Sequence, residues 1–167
     1  MSESTRVRLI LHDIRSVHNV GSLLRTADGM AVEHIYFGGY TPYPSLPNDT
    51  RLPHIRDSLN KRIQKTALGA ERSVNFSHYQ SITKLIDKLQ KEGFTIAALE
   101  QTQTSIKLSE YKPPTNVALL LGREVEGIDA LLLPLADVCL EIPMLGQKES
   151  FNVTEATSMA LYHIRHG

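Results

Sequence analysis

The sequence predicts an α/β fold, a mainly parallel sheet with helices on both faces. Three observations point there. Short apolar runs alternate with amphipathic stretches along the chain, the pattern of repeated strand and helix units. The run Val117–Leu121 is apolar at every position, as a strand covered on both faces must be. The 167 residues, 41% hydrophobic and 22% charged, suffice for one core. A chain of that size buries roughly two-thirds of its unfolded surface, and no internal repeat or linker divides it, so a single domain is expected.

Taken in order, Val7–Ile14 reads as the first strand. Asn19–Ala31 reads as a helix with Asn19 at its N-cap and Val20, Leu23, Leu24, Ala27 and Ala31 on one face. His34–Tyr40 is a second strand, stopped by Gly38-Gly39. From Tyr40 to Arg56 the chain holds Pro42, Pro44, Pro47 and Pro53 with no periodic pattern, a loop longer than compact domains keep without a binding role. Asp57–Leu68 reads as a helix with Leu59, Ile63 and Ala67 inward. Val74–Tyr79 is a strand, Ser81–Glu92 a helix and Phe94–Leu99 a strand. After Pro113-Pro114 come Val117–Leu121, a short helical or turn segment at Ile128–Leu135, a last strand Val138–Ile142 and a closing helix Asn152–His166. Its inward stripe is Val153, Ala156, Met159, Ala160 and Ile164.

Composition narrows the function classes. The single Cys139, in an apolar run, reads as a buried structural thiol and excludes a disulfide framework. No stretch reaches the roughly eighteen uninterrupted apolar residues of a membrane span, and Met1-Ser2-Glu3-Ser4-Thr5-Arg6 lacks the apolar region of a signal peptide. A cytoplasmic protein without membrane attachment is the expectation. Net charge is zero, yet the sum hides an asymmetry. Residues 1–83 carry 10 Lys/Arg against 7 Asp/Glu, and residues 84–167 carry 8 against 11. Between Arg51 and Arg72 six cations face two acids, which favours a nucleic-acid partner on that segment.

In open α/β sheets ligands sit beyond the carboxyl ends of the strands. Those positions are distinctive here: His18-Asn19-Val20-Gly21 with Arg25-Thr26-Ala27, then Gly122-Arg123-Glu124-Val125-Glu126-Gly127, then Pro143-Met144-Leu145-Gly146 leading to Ser150-Phe151-Asn152. The glycine fingerprints of dinucleotide and P-loop sites are missing. His163-x-x-His166 reads as a solvated pair near a helix end, and no metal site is expected. Gly21 in a first helical turn costs about 1 kcal/mol against Ala, which points to close approach of another backbone or a ligand. Arg25 falls off the apolar stripe, either as a solvated cation or as one held over a phosphate or oxyanion. Asn152-x-x-Glu155 has capping-box spacing, so Asn152 has a structural reading beside a functional one.

These three segments, in this order, resemble the motifs of the SpoU/TrmH RNA 2′-O-ribose methyltransferases of the SPOUT superfamily. The matching residues are Asn19-x-Gly21-x-x-x-Arg25-Thr26-Ala27, Leu121-Gly122-x-Glu124-x-x-Gly127, and Ile142-Pro143-Met144-x-Gly146 followed by Ser150-Phe151-Asn152-Val153-Thr154-x-Ala156. Phe151 stands where the family usually has Leu, and Arg123 where a small polar residue is common. The resemblance implies a deep C-terminal trefoil knot, a homodimer and S-adenosyl-L-methionine as cofactor. It also implies in-line attack of a ribose 2′-hydroxyl on the sulfonium methyl group, leaving S-adenosyl-L-homocysteine. Transferred by position, cofactor binding falls to Leu99, Glu100, Gln101, Gly122, Ile142, Met144, Leu145, Ser150, Phe151 and Asn152. Catalysis falls to Arg25 and Asn19, with Glu124, Ser150 and Asn152 organising the pocket. A guanidinium with a pKa above about 12 stays protonated, so Arg25 reads better as a clamp on the neighbouring phosphate than as a base.

RNA contact is expected from Arg15, Arg25, Arg51, Arg56, Lys61, Arg62 and Lys65, with Tyr40, Tyr43 or His54 stacking on an unpaired base. Transfer RNA ranks ahead of ribosomal RNA as substrate. Two other classes compete: a catalytically silent RNA- or cofactor-binding module with this fold, and an unrelated nucleotide-binding α/β protein. With about six residues before the first strand, the chain reads as a minimal catalytic domain without a separate RNA-binding domain.

Overall fold

The computed structural model describes residues 5–167, so Met1–Ser4 of the N-terminal reading lie outside the described residues. Seven strands form one sheet: β1 (Arg6–His12), β2 (His34–Gly38), β3 (Phe76–Tyr79), β4 (Thr95–Leu99), β5 (Ile106–Lys107), β6 (Asn116–Leu121) and β7 (Val138–Glu141). Their order is β3-β2-β1-β6-β4-β7-β5, and every pairing is parallel. The helices are α1 (Val17–Gly29), α2 (Pro53–Ala67), α3 (Ala70–Ser73), α4 (Ile82–Lys91) and α5 (Val153–His166).

Side-chain alternation along the strands divides the core in two. Leu9 and Leu11 of β1, Phe37 of β2 and Leu119 of β6 pack under α1, α2, α3 and α5. Ile10, Tyr36, Ile96 and Leu120 pack under α4 and the 128–133 segment. Helices therefore cover both faces, as the near-continuous apolar strands require. The chain winds outward from β1 through β2 to β3, then crosses to the other side of β1. The reversal lies between β1 and β6, which is where an open sheet leaves a crevice at its carboxyl edge.

Several boundaries differ from the sequence reading for identifiable reasons. β1 stops at His12 because Asp13 takes a left-handed conformation (φ 58°), its carboxylate accepting a hydrogen bond from Tyr40 N at 3.0 Å. α1 begins two residues before Asn19: Ser16 is the N-cap, its hydroxyl accepting from Asn19 N at 3.1 Å. Ala31, assigned to that helix, lies beyond it at φ 51°. α2 starts at Pro53, whose missing N–H costs nothing at the first helical position. Cys139 is half-buried against the α4 face rather than fully enclosed. His163 is not solvated: its Nε2 lies 2.7 Å from the Tyr111 carbonyl. Met159, placed on the inward stripe of α5, is exposed.

Gly21 is explained by helix packing. A Cβ there would lie 2.5 Å from the Ile63 carbonyl oxygen of α2, so the glycine lets α1 and α2 touch through backbone. The 40–52 loop is also tied down. Buried Thr41 donates to the Leu11 carbonyl at 3.1 Å and accepts from Ile14 N at 3.1 Å, pinning the loop to the end of β1. Arg51 reaches Asp49 at 2.6 Å and the carbonyls of Tyr43 and Pro44 at 3.0 Å.

Candidate active site

Beyond the carboxyl ends of β4, β6 and β7 lies a cavity of about 320 Å³. The loops that follow those strands build it. Leu99, Glu100 and Gln101 enter from β4, Gly122 and Glu124 from β6, and Ile142 and Met144 from β7. Ser150 and Phe151 close it ahead of α5.

Gly122 makes the loop after β6 possible. A Cβ at this position would come within 2.5 Å of Ile128 Cα and 2.7 Å of the Gly127 carbonyl carbon, so the returning strand of the loop can pass only over glycine. Gly127 has φ +76°, and a side chain there would run into the Glu100 carboxylate. Glu100 uses the space: it accepts from Ile128 N at 2.8 Å and Gln101 N at 3.0 Å, tying the loop after β4 to the loop after β6.

Glu124 ties the same loop to the first motif. Its carboxylate accepts from Ser16 N at 3.1 Å, Arg15 N at 3.2 Å and Asn19 Nδ2 at 3.3 Å. Partial burial would push this carboxyl up, but the backbone and Asn19 hydrogen bonds prevail and hold it below the ordinary value. Asn19, only 7% exposed, accepts at Oδ1 from Asn152 Nδ2 at 3.5 Å, and Asn152 caps α5 by accepting from Thr154 N at 2.8 Å. The capping role of Asn152 is therefore observed, beside a contact with Asn19. One chain of polar contacts joins the N-terminal ends of α1 and α5 to the loop after β6.

Other candidates fall elsewhere. Leu145 is 98% exposed and lines no part of the cavity, and Asn152 borders it only through its neighbours Phe151 and Val153. Arg25 is exposed on α1 and forms no hydrogen bond or ion pair among the described residues, while adjacent Thr26 lies 3.4 Å from Ser158 of α5. Arg15 is held by Glu126 at 2.9 Å and the Tyr40 hydroxyl at 3.3 Å. Arg51 is spent inside its own loop, and Arg56 pairs with Asp57 at 2.8 Å. Lys61, Arg62 and Lys65 stand exposed on α2. Tyr43 is stacked within the fold, between Arg51 and His78.

Leu121, quoted in the second motif without a binding role, and Leu140, Glu141 and Glu149, which the motifs did not single out, also line the cavity. The first three end strands, so the strand-end rule could have found them. Nothing local marks Glu149. Four carboxylates (Glu100, Glu124, Glu141, Glu149) and one guanidinium (Arg123) surround the space, among apolar walls from Leu99, Leu121, Leu140 and Phe151. Such a site suits a ligand with an apolar or aromatic part and positive charge, and disfavours a polyphosphate. Among the described residues no cluster of three or more His, Cys, Asp or Glu could hold a metal ion, and no helix is long and apolar enough to cross a membrane.

Comparison with known proteins agrees with this geometry. A Staphylococcus aureus (strain COL) protein, provisionally described as a TrmH family tRNA/rRNA methyltransferase, is 27% identical over 157 residues, covering 93% of this chain and 57% of its own. An uncharacterised tRNA/rRNA methyltransferase of Mycoplasma pneumoniae is 29% identical over 163 residues, covering 96% and 61%. The chain therefore spans little more than half the length of these relatives. Among solved structures, the A. aeolicus TrmH/SpoU tRNA modifying enzyme superposes with a TM-score of 0.78 at 20% identity, over 97% of this chain and 76% of that one. The AdoMet-bound rRNA methyltransferase of Sinorhizobium meliloti gives 0.78 at 21% identity, over 97% and 56%. A structure concerned with 2-OH methylation of C/U34 on tRNA gives 0.74 at 21% identity, over 96% and 94%. At these identities the structural likeness is one of fold. The SpoU rRNA Methylase family profile matches residues 6–162, and on that extent the chain belongs to the SpoU methylase family.

Proposed function

We propose that the protein is an S-adenosyl-L-methionine-dependent methyltransferase acting on a ribose 2′-hydroxyl in RNA. The observation that carries this reading is the acid-rich, partly apolar cavity at the ends of β4, β6 and β7, tied through Glu124 and Asn19 to the helix that bears Arg25. When bound, the cofactor supplies an electrophilic methyl group on a positively charged sulfonium. The residues present fit it: apolar walls for the adenosine portion, carboxylates in excess over cations for the sulfonium and amino groups, and a volume within the roughly 300–1,000 Å³ of small-molecule sites. Leu99, Gln101, Gly122, Ile142, Met144 and Phe151 would hold it.

The remaining roles belong to the chain. Glu124 orients Asn19 and the start of α1, and Asn19 in turn positions Asn152 and the 150–152 turn. Arg25 clamps the phosphate beside the reacting ribose, and its charge aligns and acidifies the hydroxyl without taking its proton, which leaves to solvent water as the methyl–oxygen bond forms. Family resemblance supports a homodimer, in which the arginine can come from the partner subunit, and a knotted C-terminal region. It equally supports a cytoplasmic setting, and residues 5–167 would form one catalytic domain. Transfer RNA is the favoured substrate, because the structural neighbour matched over 94% of its own length concerns methylation on tRNA. Ribosomal RNA is the alternative.

The test combines calorimetry with S-adenosyl-L-methionine and tritiated methyl transfer to bulk tRNA and to ribosomal RNA, followed by alkaline hydrolysis, which a 2′-O-methyl group blocks. Arg25→Lys is expected to keep cofactor affinity and lose about 100-fold in turnover, the scale of a lost positioning interaction. Cofactor binding without transfer to any RNA would leave a silent binding module. Unchanged turnover in Arg25→Lys would remove Arg25 from the mechanism.

A further inference from the structure

A second cavity opens at the other end of the same sheet edge, lined by His78, Tyr79, Gln80, Ser81 and Lys84. β3 is the sheet's edge strand, and all strands run parallel, so both cavities face the same edge. Its chemistry is specific. His78 stacks on Tyr43 with ring centroids 4.6 Å apart and planes inclined by 20°, and the Arg51 guanidinium lies 3.7 Å from the centre of the Tyr43 ring. Arg51 is locked by Asp49, so His78 rests on a rigid pile. No other ring stacks on it among the described residues. Lys84 is exposed and forms no ion pair among the described residues. Lys88, one turn further, reaches the Tyr79 hydroxyl at 3.3 Å. No acid occurs anywhere between Val74 and Lys84.

We propose that this cavity is a nucleotide subsite for the RNA, separate from the reacting nucleotide, with a base stacked on His78 and a phosphate at Lys84. The inference rests on the RNA-methyltransferase reading and adds where a flanking nucleotide is held. A pre-ordered aromatic face, the Gln80 amide for base edges and an unneutralised ammonium are elements of single-stranded RNA recognition, while the Ser81 hydroxyl caps α4 by accepting from Lys84 N. Spacing agrees: three strand intervals of about 4.8 Å separate β3 from β6 at the near wall of the first cavity and five separate it from β7 at the far wall, placing the subsite roughly 14–24 Å along the edge, a few nucleotides away. Arg15 and Tyr40, exposed at the ends of β1 and β2, lie on the path between them.

The test is fluorescence anisotropy with labelled bulk tRNA and ribosomal RNA fragments at several salt concentrations, for wild type, His78→Ala, His78→Phe and Lys84→Ala. Loss of one stacked base should weaken RNA binding about tenfold in His78→Ala, with recovery in His78→Phe. Lys84→Ala should lower the slope of log affinity against log salt by about one contact. Affinity for S-adenosyl-L-methionine should stay at the wild-type value in all three. Wild-type RNA affinity and slope in both alanine variants, with unchanged thermal unfolding, would overturn the subsite alone. Should His78→Ala unfold, exposed Lys84→Ala decides the matter. Failure of the wild type to bind either RNA would overturn the methyltransferase reading first and the subsite with it.

Discussion

The two cavities on the carboxyl edge differ in sign and in construction. The one beyond β4, β6 and β7 is lined by four carboxylates and one guanidinium, held by backbone turns that only glycine permits at Gly122 and Gly127. The one beyond β3 has no acid and is built from side chains, His78 on Tyr43 on Arg51, with lysine at its rim. A cationic ligand is drawn to the first and an anionic one to the second. A zero net charge over the whole chain therefore says nothing about the local charge of either site.

If the two regions are independent, variants should damage one and spare the other. The largest effect is expected from Gly122→Ala. Its new methyl must displace the Ile128 backbone, an overpacking cost of about 1–3 kcal/mol, and cofactor binding by calorimetry should vanish while RNA affinity persists. Glu124→Gln comes next. An amide cannot accept all three hydrogen bonds, so about 1–3 kcal/mol of stability should be lost at neutral pH, measured by denaturant unfolding. The pH dependence has a definite sign. The folded carboxyl titrates below its ordinary value, so its contribution is complete above the unfolded-state value and fades as pH falls through the lowered one. Wild type and Glu124→Gln should therefore converge in stability at acid pH, and a gap that widens instead would contradict the assigned contacts.

Asp49→Asn probes the other cavity. Arg51 holds the Asp49 carboxyl far below the usual carboxylate range, and the loop carrying Tyr43 depends on that pair. Faster amide hydrogen exchange across residues 41–52 and weaker RNA binding are expected, with cofactor affinity intact. The smallest effect belongs to replacing Lys61, Arg62 and Lys65 together by Gln. These exposed side chains should leave stability and cofactor affinity alone while weakening RNA binding and flattening its salt dependence, and an unchanged slope would place RNA contacts off α2.

Much of the architecture was legible because it is local. The alternation of Val7–Ile14 and Val117–Leu121 with the amphipathic stretches at Asn19–Ala31 and Ser81–Glu92 follows from spacing alone, and the structure places a strand or helix at each. Errors fell where distant residues decide. Ser16 rather than Asn19 caps α1 because Asn19 is drawn to Glu124, 105 positions away. Arg51 reads as a free cation in sequence, yet two carbonyls and Asp49 enclose it. The two-residue strand β5 carries no periodic signal at all. His78 stood in a predicted strand without any sign that Tyr43 would lie against it.

By itself the sequence determined the α/β class, the identity of the three motif segments and their positions at strand ends, because periodicity and glycine placement act over a few residues. Tertiary structure alone decided which polar side chains remain available and which are consumed. Glu124, Asn19 and Asn152 become one linked set, Arg51 becomes scaffold, and Arg25 and Lys84 stay unpaired among the described residues. The reason is physical: folding brings partners to some charges and none to others, and partners separated by a hundred residues are set by sheet order rather than by local sequence.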